Sequence, residues 1–200
     1  MKKGMIVFLI IAGIIIIVGF NLFNWYVGVF NNGVRLDQNV KAAWAQVENQ
    51  YQRRFDMIPN LVEIVKGYAK HEKSTLESVI EMRSKVSQMT VNKDVLDDPE
   101  AFKRFQKAQG EISSFLSRLM VITEAYPELK ANQNFLALQS QLEGTENRIS
   151  VERKRFNESV QEFNFYISSF FPRMVLGSKY KERAYFEAEE NAITAPKIQF

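Results

Sequence analysis

The chain has 200 residues, which is enough for one domain, and it carries 26 basic and 23 acidic residues. Without Lys2 and Lys3, 24 basic residues face 23 acidic ones, so the rest of the chain offers no strongly basic face for nucleic acid. The single histidine and the absence of cysteine exclude disulfides, a cysteine nucleophile and zinc sites of the Cys₂His₂ or HExxH type. No cofactor is expected.

The N-terminal segment is predicted to cross a membrane. Residues 5–20, MIVFLIIAGIIIIVGF, carry no charge, and the uncharged stretch continues to Val34. About 20 predominantly apolar residues cross the hydrocarbon core of a bilayer as a helix. Phe23, Trp25 and Tyr26 follow this run and are typical of the aromatic belt at a membrane interface. No small-x-small cleavage site follows, which favours an uncleaved signal anchor over a cleaved signal peptide.

Basic residues near the segment predict its orientation. Lys2 and Lys3 precede it, and Arg35 is the first basic residue after it. Because loops rich in lysine and arginine stay in the cytoplasm, the N-terminus is expected there. The remaining chain is then expected on the outer side of the bacterial inner membrane.

Beyond the anchor, apolar residues recur at helical spacing and predict an all-α fold. Val40, Trp44, Val47 and Tyr51 form one stripe, and a second stripe begins at Ile58. Near Pro59 either a single helix kinks, or Asp56 caps a new helix with the proline in its first turn. The second alternative is preferred. It gives helices over 36–54, 57–89, 99–125 and 133–171, which suit an antiparallel up-and-down bundle.

The last two helices have clear starting signals. Asp97 and Asp98 before Pro99 match an N-cap followed by proline at the first helical position. Pro127 ends that helix near Tyr126, and Asn132 or Asn134 can cap the next. The last helix carries a heptad-like apolar stripe from Phe135 to Phe170, about 50 Å long, as in a coiled coil.

The organisation predicted along the chain has three parts. Residues 1–30 form the cytoplasmic tip and the membrane anchor, and residues 31–175 form the helical bundle. Residues 176–200 form a tail, ending in APKIQF, that is expected to pack back on the bundle.

Several polar residues lie close to the apolar stripes and could form an interhelical network rather than an ordinary surface. Buried polar groups are tolerated when each finds a partner, and such networks can specify helix packing. Arg54 is expected to pair with Asp56. The candidates are Arg53, Arg54, Asp56, Asn60, Glu146, Asn147, Arg148, Arg153 and Asn157.

Catalytic chemistry has little support in this sequence. His71 and Glu72 begin an HExxH-like string, but Thr75 stands where a second histidine is needed, so His71 is interpreted as a helix-surface residue. Glutamates could serve acid–base chemistry or bind a hard cation, although a solvated helix surface is the preferred interpretation. These glutamates are Glu143 with Glu146, and Glu187, Glu189 and Glu190.

Three long stretches resemble the LemA family of bacterial membrane proteins. They are residues 43–72 with RRFDMIPNLVEIVKGYAKHE, residues 125–164 with YPELKANQNF, and the terminal YFEAEENAITAPKIQF. Further residues within these motifs are Lys66, His71, Glu72, Tyr126 and Pro127. The resemblance implies one N-terminal membrane helix followed by an antiparallel helical bundle. No enzymatic activity is established for the family, so the resemblance assigns no catalytic residue.

The leading functional hypothesis is a non-enzymatic, membrane-anchored scaffold or membrane organiser that forms homo-oligomers. Its expected partners are the lipid bilayer and further copies of itself. The alternative is an accessory or adaptor subunit for another envelope membrane protein, such as a protease or transporter. A hydrolase using Glu146, Glu187 and Glu190 is the third and least favoured class.

Overall fold

The computed structural model describes residues 2–68, 93–124 and 126–187, and every regular element in these ranges is helical. This confirms the all-α prediction. Helix α1 spans Lys2–Tyr68 and is followed by a short 3₁₀ helix over Lys93–Leu96. The remaining helices are α2 (Pro99–Thr123), α3 (Pro127–Lys130), α4 (Gln133–Ser168) and α5 (Phe170–Leu176).

The chain forms two compact units. The first unit contains residues 1–41 and 161–182, and the second contains residues 42–160 and 183–200. Helices α1 and α4 contribute residues to both units. The three-part division over 1–30, 31–175 and 176–200 stays a prediction.

Helix α1 runs through Pro59 without ending, so the preferred break between residues 54 and 57 is wrong. The proline lacks the N–H that would bond to the carbonyl of Phe55, a loss that costs about 3 kcal/mol in a helix interior. Buried apolar side chains on both sides, including Ile58 and Leu61, offset this cost. Asp56 is exposed and accepts a hydrogen bond from Gln52 Nε2 at 2.8 Å instead of capping a helix. Residues 69–89 of the predicted second helix lie outside the described residues.

In the second unit, α4 runs antiparallel to α1. Trp44 of α1 contacts Phe156 of α4, and Arg54 of α1 bonds to Glu146 of α4. A step of ten residues towards the C-terminus of α1 thus corresponds to a step of ten residues towards the N-terminus of α4. Helix α2 runs parallel to α1, since Trp44 contacts Phe102 and Arg54 contacts Gln109.

The predicted helix starts at residues 99 and 133 are confirmed. Asp98 Oδ1 accepts a hydrogen bond from Glu100 N at 2.9 Å at the start of α2. Asn132 Oδ1 accepts one from Phe135 N at 3.1 Å at the start of α4. These side chains satisfy backbone N–H groups that have no partner within the first turn of a helix.

The apolar stripe of α4 is buried along most of its length but not at its end. Phe135, Leu142, Ile149 and Phe156 are all buried. Phe170, the last residue of the predicted stripe, is 76 % exposed, so the prediction that the helical stripe extends to this residue and faces other helices is wrong. The reason is local: α4 ends at Ser168, and the extended Ser169 separates the last phenylalanines from the helical repeat.

The first unit begins with the exposed apolar part of α1, which is long and apolar enough to cross a membrane. Farther along α1, the carbonyl of Val29 accepts a hydrogen bond from the Tyr166 hydroxyl at 2.8 Å. Leu176 of α5 lies directly over Gly33, which is buried. A Cβ atom at position 33 would lie 3.0 Å from Leu176 Cδ1, so a larger residue at this position would force the Leu176 side chain to shift.

We predict that Gly33→Val lowers the free energy of unfolding by about 1–3 kcal/mol, because the added methyl groups overpack against Leu176. Urea unfolding of the full-length protein in mild detergent, followed by circular dichroism, measures the change. Gly67→Val is the matched control, since Gly67 lies on the same helix with nothing within 4 Å of its Cβ position. Equal stability of the two variants would contradict the close packing of α5.

Candidate functional site

The most deeply buried charged group that the structure describes is the guanidinium of Arg54, in the second unit. Its residue is only 1 % exposed. It is placed there by the helical repeat of α1, in which Tyr51 precedes it and Phe55 and Ile58 follow it at buried positions. A polar residue thus occupies an interior position of the bundle.

Arg54 bonds to residues of two other helices. Its Nη1 atom donates to Glu146 Oε1 of α4 at 2.8 Å and to Ser113 Oγ of α2 at 2.9 Å. Its Nη2 atom donates to Gln109 Oε1 of α2. The ring of Tyr51 lies 5.0 Å from the guanidinium carbon, a distance at which a cation–π contact contributes. We call Arg54, Gln109, Ser113 and Glu146 the polar layer.

The polar layer joins two different apolar regions of the second unit. One region is an aliphatic and aromatic core in which Phe55, Ile58 and Leu61 of α1 pack. The other is an aromatic cluster around Trp44, whose ring centroid lies 5.3 Å from Phe105 and 5.6 Å from Phe156.

Glu146 connects the polar layer to the surface. Its side chain is 37 % exposed and lines a cleft of about 440 Å³ between α2 and α4. Glu143, one turn earlier on α4, lines the same cleft with Ser117 and Met120 of α2. The cleft therefore presents carboxylates and hydroxyls beside apolar side chains. Within the described ranges, no group of three or more histidine, cysteine, aspartate or glutamate side chains is arranged to hold a metal ion.

The C-terminal segment completes the aromatic cluster of the second unit. Phe186 is buried, stacks on Trp44 with a centroid distance of 6.0 Å, and lies 4.8 Å from Phe102. Asn157 of α4 holds the backbone of Phe186 on both sides: Oδ1 accepts from its N–H, and Nδ2 donates to its carbonyl, each at 2.9 Å.

Arg153 of α4 adds to this attachment. Its Nη2 atom donates to the carbonyl of Glu187 at 2.8 Å, and its guanidinium carbon lies 4.7 Å from the centroid of the Phe186 ring. Gln106 of α2 donates to the same carbonyl at 2.9 Å. Residues 186–187 are therefore bonded to side chains of two helices.

Arg54 pairs with Glu146, so its expected pairing with Asp56 is wrong.

The structure places the other predicted residues more peripherally. Pro59 and Tyr126 are half-buried, Lys66 pairs with Glu63 at 3.4 Å, and Pro127 begins α3. Exposed positions on α1 and α4 are occupied by Arg53, Asp56, Asn60, Asn147 and Arg148. His71, Glu72, Glu189 and Glu190 lie outside the described residues.

The sequence interpretation missed Gln109 and Ser113 of the polar layer. A signal for Gln109 was available, because positions 105, 109, 112 and 116 follow the three-and-four spacing of a buried helix face. A glutamine on such a face needs a polar partner inside the protein. The identity of that partner depends on which helix packs against it.

The predicted interfacial aromatics lie in the first unit at the end of the exposed apolar segment. Phe23, Trp25 and Tyr26 are all exposed. The ring of Trp25 contacts that of Phe171 at 5.7 Å in an edge-on arrangement.

Comparisons with known proteins agree on one family. The family model described as the LemA family matches residues 43–200. Protein LemA of Metamycoplasma hominis is 26 % identical over 150 residues, covering 75 % of this chain, which spans 64 % of that relative's length. Magnetosome protein MamQ of Magnetospirillum gryphiswaldense is 26 % identical over 191 residues, covering 84 % of this chain and 70 % of the relative. Magnetosome protein MamQ 2 of Paramagnetospirillum magneticum is 22 % identical over 190 residues, covering 84 % of this chain and 70 % of the relative.

We predict that Glu146→Ala lowers the free energy of unfolding by about 2–3 kcal/mol, because it leaves the buried guanidinium of Arg54 without the carboxylate that pairs with it. Denaturant unfolding in mild detergent measures the change. Glu143→Ala removes an exposed carboxylate one turn away and is expected to change stability by less than about 0.5 kcal/mol.

The neutral double variant Arg54→Met with Glu146→Leu separates charge burial from packing. It removes both charges together and is expected to be more stable than Glu146→Ala, as for other buried ion pairs replaced by apolar residues. A double variant less stable than Glu146→Ala would contradict this account of the polar layer.

We predict that Asn157→Ala lowers the free energy of unfolding by about 1–3 kcal/mol, because the buried backbone of Phe186 loses both hydrogen bonds. The same unfolding measurement, combined with limited proteolysis after residue 183, detects release of the segment. Asn147→Ala, at an exposed position of the same helix, is the control and is expected to be neutral. Unchanged stability and proteolysis in Asn157→Ala would exclude this attachment.

Proposed function

Because this chain is a membrane-associated member of the LemA family, we propose that it is a non-enzymatic scaffold or membrane organiser of the bacterial envelope. It acts by self-association of helical domains that are tethered to the bilayer. The single observation that carries this proposal is the dual character of α1, which has an exposed apolar segment at its N-terminal end and buried core residues farther along.

One helix thus serves as the anchor and as part of the folded domain. The apolar segment extends from Met5 to Tyr26, and the buried residues begin at Gly33 and Leu36. No glycine- or serine-rich linker stands between them. A continuous helix of this kind fixes the protein at the membrane, which favours a structural role there over action on a soluble substrate.

The polar groups of the second unit support a structural role. The guanidinium of Arg54 bonds to Glu146 of α4, and the amide of Asn157 bonds to the backbone of Phe186. These polar groups therefore hold parts of the protein together. Two of the relatives are named as magnetosome proteins. Lys2 and Lys3, which precede the span, support a position on the bacterial inner membrane with the N-terminus in the cytoplasm and the helical domain on the outer side.

Self-association is the expected working mode because anchoring confines every copy to a plane. Confinement raises the effective concentration, so contacts too weak for dimerisation in solution become populated on a membrane. The domain needs no bound ligand for this role.

Counting subunits in liposomes tests the proposal. Because the chain has no cysteine, Ser150→Cys at an exposed position of α4 provides a single dye attachment site on the full-length protein. We expect most labelled spots to bleach in two or more steps at high lipid excess. The step number should exceed that of a monomeric single-span protein carrying one dye and reconstituted at the same protein-to-lipid ratio, and it should fall when unlabelled protein is mixed in before reconstitution.

Two outcomes would contradict the scaffold proposal. Single-step bleaching at every protein-to-lipid ratio would show monomers, and a step number equal to that of the monomeric control protein would show chance co-residence. A stoichiometric foreign envelope protein retained by such monomers after mild extraction would instead support the adaptor alternative.

A further inference from the structure

The first unit exposes a group of large apolar side chains outside the predicted membrane span. Phe165 of α4 and Phe170 of α5 are each 76 % exposed, Phe171 is 57 % exposed and Met174 is 64 % exposed. At about 200 Å² for each large side chain, they present about 500 Å² of apolar surface. The largest apolar patch on a typical soluble monomer covers about 300–600 Å² and is often functional, so these side chains together are comparable with such a site. We call these four residues the FFFM surface.

The FFFM surface is linked to the end of the span. An apolar helix of about 20 residues starting at Met5 reaches Asn24, so Trp25 lies where the hydrocarbon core meets the headgroups. The ring of Phe171 contacts the ring of Trp25 at 5.7 Å within the first unit. Phe171 is therefore at the depth that the tryptophan occupies.

Specific contacts within the first unit hold α5 in this position. Leu176 is buried over Gly33, and the ammonium group of Lys179 lies 4.1 Å from the centroid of the Phe30 ring. Gly177, with a φ of 57°, ends the helix in a conformation that other residues rarely adopt. With Leu176 turned to α1, Phe170 and Met174 are left on the exposed side of α5.

Basic residues accompany the apolar side chains. Residues 21–41 and 161–182 of the first unit together contain five basic and three acidic residues. Arg173 lies within α5, and Lys179 and Lys181 follow it, all three exposed. Apolar side chains with nearby lysine and arginine are the composition of segments that lie in a membrane interface.

We propose that α5 and the end of α4 insert the FFFM surface into the interface between headgroups and acyl chains, in the leaflet at the C-terminal end of the span. The protein then contacts the bilayer at two places, the spanning part of α1 and this surface. The proposal rests on the membrane anchoring stated under Proposed function, and it does not depend on self-association.

A lipid surface fits this patch better than a second copy of the chain does. A stable protein–protein interface needs about 800 Å² from each partner, more than the FFFM surface offers. The contact with Trp25 also makes the patch continuous with the surface of α1 that the bilayer covers. The basic residues then lie beside anionic headgroups.

Depth-dependent quenching in liposomes tests this contact. Single-cysteine variants of the full-length protein carry an environment-sensitive fluorophore at Met174→Cys, or at Asn39→Cys as the control. Asn39 is an exposed polar residue of the same unit, about 21 Å beyond Trp25 along α1 at 1.5 Å per residue. Liposomes of phosphatidylglycerol and phosphatidylethanolamine contain lipids with a nitroxide near the headgroup, and iodide serves as the aqueous quencher.

We expect the nitroxide lipids to quench the label at position 174 and iodide to leave it bright, with the opposite result at position 39. Equal iodide quenching at both positions would overturn the proposal. Protection from iodide without quenching by nitroxide lipids would overturn it as well, since a protein partner would then cover the surface. A label at Leu9→Cys tests the span itself: loss of its quenching by deep nitroxides would show that the anchoring has failed instead.

A charge in the surface provides an independent check. Phe170→Asp in the Met174→Cys protein should reduce nitroxide quenching and raise iodide quenching, because an aspartate resists transfer into the interface. Val121→Asp, at a comparably exposed position of α2, is the control and should change neither signal. Unchanged quenching in Phe170→Asp would show that the surface does not enter the bilayer.

Discussion

The buried guanidinium of Arg54 requires acceptors from neighbouring helices, because an unpaired charge in a protein interior is far less stable than one in water. Gln109 and Ser113 of α2 and Glu146 of α4 supply these acceptors. The donors of a guanidinium point in fixed directions within one plane. The contacts therefore define the rotation and the height of α2 and α4 against α1, and the core and the aromatic cluster pack in agreement with them.

The same α4 helix that supplies Glu146 also binds the C-terminal segment. Asn157 bonds to both backbone groups of Phe186, and the Phe186 ring fills the cluster around Trp44. Two polar residues of α4 thus have separate structural roles in the second unit. Glu146 pairs with the charge of Arg54 on α1, and Asn157 replaces the hydrogen bonds that the backbone of Phe186 would make with water.

At the other end of α1, the physical constraint is the bilayer. An exposed helical segment of this length and apolar composition is stabilised in the hydrocarbon core of a bilayer. The proposed scaffold function and the proposed interfacial contact of α5 both follow from this constraint. They differ in what they require: the scaffold needs further copies of the chain, whereas the FFFM surface needs only lipid.

The sequence by itself determined the features that depend on nearby residues. Asp98 with Pro99 and Asn132 mark helix starts, and the stripes from Val40 to Tyr51 and from Phe135 to Ile167 mark buried faces, because caps and helical periodicity act within a few residues. Tertiary structure decided whether α1 continued through Pro59 and which carboxylate paired with Arg54. Each of these outcomes depends on groups far apart in the sequence, or on packing strong enough to offset a local cost. The close approach of Leu176 to Gly33 has the same origin, since nothing near residue 33 indicates which side chain will lie over it.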